Sequence, residues 1–126
     1  AVRPLLPKLL DEELGNRRYA GSILVIGELL ADAPVEDKGL LTFYLGEAYR
    51  RRGLGDDKAK AASYYAQAVA LPNPPAAAWR EHGFVQRAAG EATGARAALQ
   101  RYLLEAPAAE DRAFVQRELD KLGGAR

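Results

Sequence analysis

The stretch from Thr42 to Pro107 contains two copies of one helix–turn–helix pattern. The hexapeptide YLGEAY at residues 44–49 aligns with EHGFVQ at residues 81–86, and residues 61, 65 and 68 recur 34 residues later at 95, 99 and 102. The paired glycines, Gly46 and Gly83, are 37 residues apart. The three extra residues lie in the turn of the first copy, where insertions cost little. This internal repeat predicts an all-α fold of antiparallel helix pairs.

Glycine and proline mark the ends of the predicted helices. Gly53 and Gly90 end the first helix of each copy, while Pro72 and Pro107 end the second. After a lead-in over residues 1–7, a short helix ends at Gly15. The other predicted helices span residues 17–33, 35–52, 56–71, 76–89, 93–106 and 110–122, with Gly123-Gly124 after the last. We expect Asp56 or Asp57, and Thr93, to act as N-caps.

The repeat resembles the tetratricopeptide family. That family has a period of 34 residues with Trp-x2-Leu-Gly-x2-Tyr, then Ala-x3-Phe, then Pro. The matching residues are Leu45-Gly46-x2-Tyr49, Ala61-x3-Tyr65 and Pro72 in the first copy, and Trp79-x2-His82-Gly83, Ala95-x3-Leu99 and Pro107 in the second. The second copy departs from the pattern at His82, Gln86 and Tyr102. The resemblance implies a right-handed α-solenoid of about three repeats plus a C-terminal capping helix.

A chain of 126 residues is expected to form a single domain. Within it, residues 1–35 form a degenerate first repeat, because LLADAP at 29–34 is similar to LLEAP at 103–107. Residues 36–74 and 75–108 are the second and third repeats. The more polar helix at 109–122 is expected to cover the apolar end of the stack.

Composition excludes several classes of protein. With 18 basic and 17 acidic residues the net charge is +1, which argues against a nucleic-acid partner. The chain has no cysteine, and no apolar run approaches the length of a membrane span. We expect no cofactor, no metal and no membrane span. Because residue 1 is Ala and Met is absent, we expect either a mature exported protein or a domain of a longer one.

No constellation of catalytic residues is found. His82 is the only histidine and occupies an apolar position of the repeat, so we interpret it as a packing residue. The acidic pairs Glu12-Glu13 and Asp56-Asp57 diverge on a helix and cannot clamp one atom. Gly53-x-Gly55 follows no strand and is interpreted as a turn. The sequence therefore predicts that the domain is not an enzyme.

The family resemblance implies that the first helices of successive repeats line a concave face. Transferred to this chain, that face selects Phe43, Glu47, Arg50, Arg51, Arg80, Phe84, Arg87, Arg112 and Gln116. Such a basic and aromatic set suits an extended peptide with acidic residues or a free carboxylate. The Asn and Lys of the family's carboxylate clamp are missing. The alternative interpretation of Arg50–Arg52 is a solvated helix end that interacts favourably with the helix dipole.

The predicted function is therefore a non-catalytic protein- or peptide-binding scaffold. Two alternatives stay open: a docking or regulatory domain of a longer enzyme, such as a repeat-bearing metalloprotease, or a homo-oligomerising module that dimerises through an end face. The Ala- and Arg-rich usage, with 13 Arg against 5 Lys, is similar to bacterial lipoprotein and envelope-assembly members of the family. That similarity favours the bacterial periplasm or envelope over the cytoplasm.

Overall fold

The structure is a computed structural model that describes residues 6–123. These residues form seven α-helices and no strand: α1 Leu6–Gly15, α2 Tyr19–Ala31, α3 Val35–Arg52, α4 Asp57–Ala70, α5 Ala76–Ala88, α6 Ala92–Glu105 and α7 Arg112–Gly123. The all-α prediction is thus confirmed over this range. None of these helices combines the length and the apolar character that crossing a membrane requires. Most of the predicted lead-in, and Gly124 after the last helix, lie outside the described residues.

The predicted glycine ends of the first helices are confirmed. Gly53 directly follows α3 with a φ of 64°, and its N–H donates to the carbonyl of Tyr49 at 3.0 Å. Gly90 directly follows Ala89, the C-cap residue of α5, and has a φ of 81°. Glycine commonly adopts a positive φ directly after a helix, because a residue with a Cβ is disfavoured in that conformation. The two turns therefore stop α3 and α5 where the sequence predicts.

Helix beginnings were predicted less well. The second helix begins at Tyr19 rather than at Arg17, because Arg17 has a φ of 64°. There the side chain of Asn16 accepts a hydrogen bond of 2.8 Å from the Arg18 N–H and forms a turn. Thr93 is not an N-cap: α6 begins at Ala92, so Thr93 lies inside its first turn. The last helix begins at Arg112, two residues later than predicted.

The prediction that Asp56 or Asp57 caps α4 is correct in position but not in its hydrogen bond. Asp56 stands at the N-cap position but makes no capping bond through its side chain. Asp57 is buried and accepts hydrogen bonds from the Leu54 N–H at 3.0 Å and from the Arg52 guanidinium at 2.7 and 2.9 Å. The Arg52 hydrogen bonds hold the pKa of Asp57 at about 2. This carboxylate therefore fixes the α3–α4 turn instead of capping the helix.

The chain divides into two compact units, Ala1–Pro74 and Pro75–Arg126. The division falls at the boundary that the sequence assigns between the second and third repeats. In the first unit, α3 packs against α2 and α4, and α1 contacts α2 and α3. Every residue from Leu41 to Ala48 is buried, which makes α3 the central helix of this unit. The single-domain assignment stays a prediction.

The second unit consists of α5, α6 and α7. α6 packs against both of the other helices. The buried core of the second unit contains Leu99, Tyr102, Leu103, Val115 and Leu119. Trp79 and Phe84 of α5 pack against that core. The apolar stripe predicted for the last helix is confirmed, since Val115 and Leu119 are the buried residues of α7.

A glycine stands at the helix contact in each repeat-like pair. A Cβ on Gly46 of α3 would lie 3.0 Å from the ring of Tyr65 and 3.2 Å from Cβ of Tyr64 on α4. A Cβ on Gly83 of α5 would lie only 2.7 Å from Cδ2 of Leu99 on α6. Tyr65 and Leu99 are the residues that the 34-residue register makes equivalent. Both pairs therefore use the same contact, a glycine of the first helix against a large side chain of the second.

We predict that Gly46→Leu and Gly83→Leu each lower the free energy of unfolding by at least about 1–3 kcal/mol, the range for overpacking a core. Tyr65 and Leu99 are 1% and 0% exposed, so a leucine side chain at either glycine would have to displace a buried side chain. Gly21→Leu on α2 is the control, because a Cβ there meets nothing within 4 Å. Urea unfolding of the three variants checks the prediction. A loss at Gly21 as large as at the other two sites would contradict it.

Candidate functional site

The nine residues of the predicted binding face lie in both units, and each unit is described by itself. Phe43, Glu47, Arg50 and Arg51 belong to α3 in the first unit. The second unit supplies Arg80, Phe84, Arg87, Arg112 and Gln116, from α5 and α7. Their exposure differs widely: Phe43 and Glu47 are only 5% and 4% exposed, whereas the arginines of α3 reach solvent. The assignment of these residues to one binding face stays a prediction.

Glu47 is the centre of a buried polar cluster in the first unit. Its carboxylate accepts hydrogen bonds from Arg50 Nη2 at 2.7 Å, from Arg50 Nε at 3.2 Å and from the Tyr65 hydroxyl at 2.5 Å. Arg51 adds a longer contact of 3.5 Å. Arg50 Nε also donates to the Tyr65 oxygen at 3.0 Å. Two guanidinium groups against one carboxylate leave this cluster with one positive charge.

The cluster keeps Glu47 ionised in spite of its burial. Burial alone would raise the pKa of Glu47, but the hydrogen bonds from Arg50 and Tyr65 outweigh it, and the pKa lies below its usual value. In return, burial and the Glu47 charge raise the pKa of Tyr65, so its hydroxyl stays protonated and continues to donate. A buried carboxylate with several donors is stable only while they all remain.

The ring of Phe43 packs against other aromatic rings of the first unit instead of facing solvent. Its ring lies 5.8 Å from the ring of Tyr65 and 5.3 Å from that of Tyr44, between ring centroids. The Tyr44 hydroxyl in turn donates to Asp11 of α1 at 2.5 Å. This aromatic group joins α1, α3 and α4, so Phe43 stabilises the first unit.

In the second unit, Asp111 is the centre of a polar cluster similar to that of Glu47. The sequence did not indicate this residue. Its carboxylate accepts hydrogen bonds from Arg80 at 3.0 Å and from the Tyr102 hydroxyl at 2.5 Å. Burial would raise the pKa of Asp111, but these two donors lower it. Arg80 also pairs with Glu81 at 2.8 Å. With two carboxylates around one guanidinium, this cluster has one negative charge.

Arg87 and Phe84 form a second group on α5. The Arg87 guanidinium lies 5.0 Å from the centroid of the Phe84 ring and pairs with Glu118 of α7. Phe84 lies 6.1 Å from Phe114, also of α7. The contacts hold Arg87 over an aromatic face, where a cation is favourably placed. Neither Glu118 nor Phe114 was selected from the sequence, because both partners are about 30 residues away along the chain.

The remaining two predicted residues lie on α7. Arg112 contacts the backbone carbonyl of Leu103 at 3.5 Å, and Gln116 donates to Asp120 at 3.0 Å. Gln116 also lines a cleft of about 570 Å³ in which Arg96 and Gln100 of α6 stand opposite the apolar Leu119 and Leu122. The volume of this cleft is in the range of small-molecule sites.

His82 has no polar partner among the described residues. Its Nδ1 is buried without a hydrogen bond, and the same is true of Trp79 Nε1 one turn earlier on α5. Burial lowers the pKa of His82, which favours the neutral imidazole. Among residues 6–123, no three His, Cys, Asp or Glu side chains come together in a group that could hold a metal ion.

No protein-family model, curated protein or solved structure matches the chain.

We predict that Tyr65→Phe lowers the free energy of unfolding by about 1–3 kcal/mol, because Glu47 stays buried and charged with one donor fewer. Tyr64→Phe is the matched control: Tyr64 stacks on Tyr49 at 5.5 Å, and this contact does not need its hydroxyl. Thermal or urea unfolding of both variants checks this prediction. Equal effects at the two tyrosines would show that the Glu47 bond contributes nothing.

We predict that His82→Leu keeps the fold and removes a pH-dependent loss of stability. In the folded state the pKa of His82 is lowered, so the unfolded chain binds this proton more readily. The wild type should therefore lose stability as the pH falls through about 6.5, the ordinary histidine value, towards 5. The variant should not. Urea unfolding at pH 7 and pH 5 compares the two proteins, and parallel losses would contradict the assignment.

Proposed function

We propose that the chain is a non-catalytic scaffold of the tetratricopeptide type that binds polypeptide through the first helices of its repeats. The proposal includes a right-handed stack of about three repeats with α7 as the capping helix. It is supported by the spacing of the repeat and by the common glycine contact of the pairs α3–α4 and α5–α6. The observation on which it chiefly depends is that the first helices present arginines held in place by internal carboxylates.

Ordered arginines are suited to recognition because little rotamer freedom remains to be lost on binding. Glu47 holds Arg50 by two hydrogen bonds, and the side chain of Arg50 is still 46% exposed. Arg51 has only its single 3.5 Å contact. A ligand carboxylate can therefore approach Arg51 without displacing a short internal bond.

The ligand class that this arrangement favours is an extended peptide with acidic residues or a free C-terminal carboxylate. The one excess positive charge of the Glu47 cluster attracts an anion, whereas the Asp111 cluster around Arg80 has an excess negative charge. We therefore assign the first contact with an acidic ligand to α3, at Arg50 and Arg51. In the second unit, Phe84 and Arg87 form a separate aromatic and cationic surface.

We predict that Arg51→Gln weakens binding of an acidic peptide by two- to five-fold, or about 0.5–1 kcal/mol, as expected for a partly exposed charge. Lys58→Gln removes the same charge from the exposed surface of α4 and is the matched control. Fluorescence anisotropy with a peptide library of free C-terminal carboxylates provides the measurement. Equal losses in both variants would mean unspecific attraction, and no binding by any peptide would contradict the proposal.

A further inference from the structure

The α2 helix has an unusual surface for a helix of this chain. Its sequence, YAGSILVIGELLA, is apolar on nearly every side, yet Ser22 and Ile26 are its only buried residues. Leu24, Val25 and Leu29 are 64%, 41% and 46% exposed. A helix that is apolar all round is normally covered all round. Part of the apolar surface of α2 is therefore exposed to solvent, although its sequence is typical of a buried helix.

This surface continues onto α1 and forms a groove. The groove has a volume of about 420 Å³, and its apolar lining consists of Leu6, Leu9 and Leu10 of α1 with Val25 and Leu29 of α2. Leu9 is 55% exposed, so the lining faces solvent instead of an enclosed cavity. Contiguous exposed apolar side chains of this kind mark interaction sites.

The polar residues of the groove are acidic. Glu12 and Glu13 contribute to its lining, together with the neutral Asn16. Ser22 of α2 donates to the Glu13 carboxylate at 2.9 Å and to its backbone carbonyl at 3.2 Å, which fixes this side chain at the groove. Among residues 6–123, no basic residue lines the groove. The site therefore combines an apolar floor with two carboxylates.

We propose that the α1–α2 groove binds an amphipathic helix of a partner protein, with an apolar stripe against the leucines and lysine or arginine residues beside Glu12 and Glu13. Helix binding in an apolar groove uses side chains spaced three or four residues apart. The acidic side chains of the groove set the charge of the occupant and the orientation of its basic face.

The same charges decide against other occupants. A second copy bound through the same groove would place the Glu12 and Glu13 residues of both copies in one interface, and like charges repel. An anionic bilayer is repelled for the same reason. The site differs from the arginines of α3 in residues and in charge, so the two proposals can fail independently.

The test uses the whole chain and a labelled leucine–lysine peptide of about 18 residues, or about five helical turns, with leucines at three- and four-residue spacing. Its comparison peptide has glutamate in place of lysine. Leu9→Ser and Glu12→Gln alter the floor and one of the carboxylates. Leu104→Ser and Glu110→Gln change an exposed leucine and an exposed glutamate of the other unit and are the matched controls.

We expect the lysine peptide to bind at least ten-fold more tightly than the glutamate peptide. Leu9→Ser should weaken its binding about ten-fold and Glu12→Gln about two- to three-fold, with neither control changing it. Circular dichroism verifies the fold, and Glu12→Gln, which alters only an exposed side chain, remains informative if Leu9→Ser unfolds. The proposal is overturned by equal binding of the two peptides, by equal effects of the controls, or by no binding. It is also overturned if Leu9→Ser abolishes self-association or binding to anionic vesicles instead.

Discussion

The close approach of two helices at a glycine is the constraint on which each repeat-like pair depends. At Gly46 and at Gly83 the second helix places a buried Tyr65 or Leu99 where a Cβ would have to stand. Because the two helices touch there, the residues one turn away on α3 and α5 are fixed in position as well. The positions of Arg50 and Arg80 depend on this helix contact and on the carboxylates of Glu47 and Asp111 that bind them.

Carboxylates that accept hydrogen bonds from both an arginine and a tyrosine are the second constraint. In each unit a tyrosine hydroxyl donates at 2.5 Å to a carboxylate that also binds an arginine of the first helix of the pair: Tyr65 to Glu47, and Tyr102 to Asp111. The two clusters do not occupy equivalent positions of the repeat. They reach the same result from different residues, which is an arginine oriented by an ionised internal partner. One cluster has an excess positive charge and the other an excess negative charge.

The helices, and the glycine ends of α3 and α5, were predictable because periodic apolar residues and glycines are local signals in the sequence. The equivalence of Tyr65 and Leu99 was predictable from the 34-residue register. The hydrogen-bond partners of the charged side chains were not predictable. Asp57 binds Arg52 and Leu54 in the α3–α4 turn instead of capping α4, and Arg80 binds Asp111 across 31 residues of chain. The burial of Phe43 and Glu47 was missed for the same reason: the sequence assigns them to a helix face, but only the fold determines which neighbours cover it.

Hydrogen–deuterium exchange is the most direct test of whether the protein binds polypeptide through the first helices of its repeats. Peptides selected by display against the intact protein would be added, and exchange followed in each helix. We expect added protection on α3 or α5 with the acidic peptides that bind, and on α1 and α2 with basic helical ones. Protection confined to α4 and α6, or a display selection that enriches no peptide, would contradict this expectation.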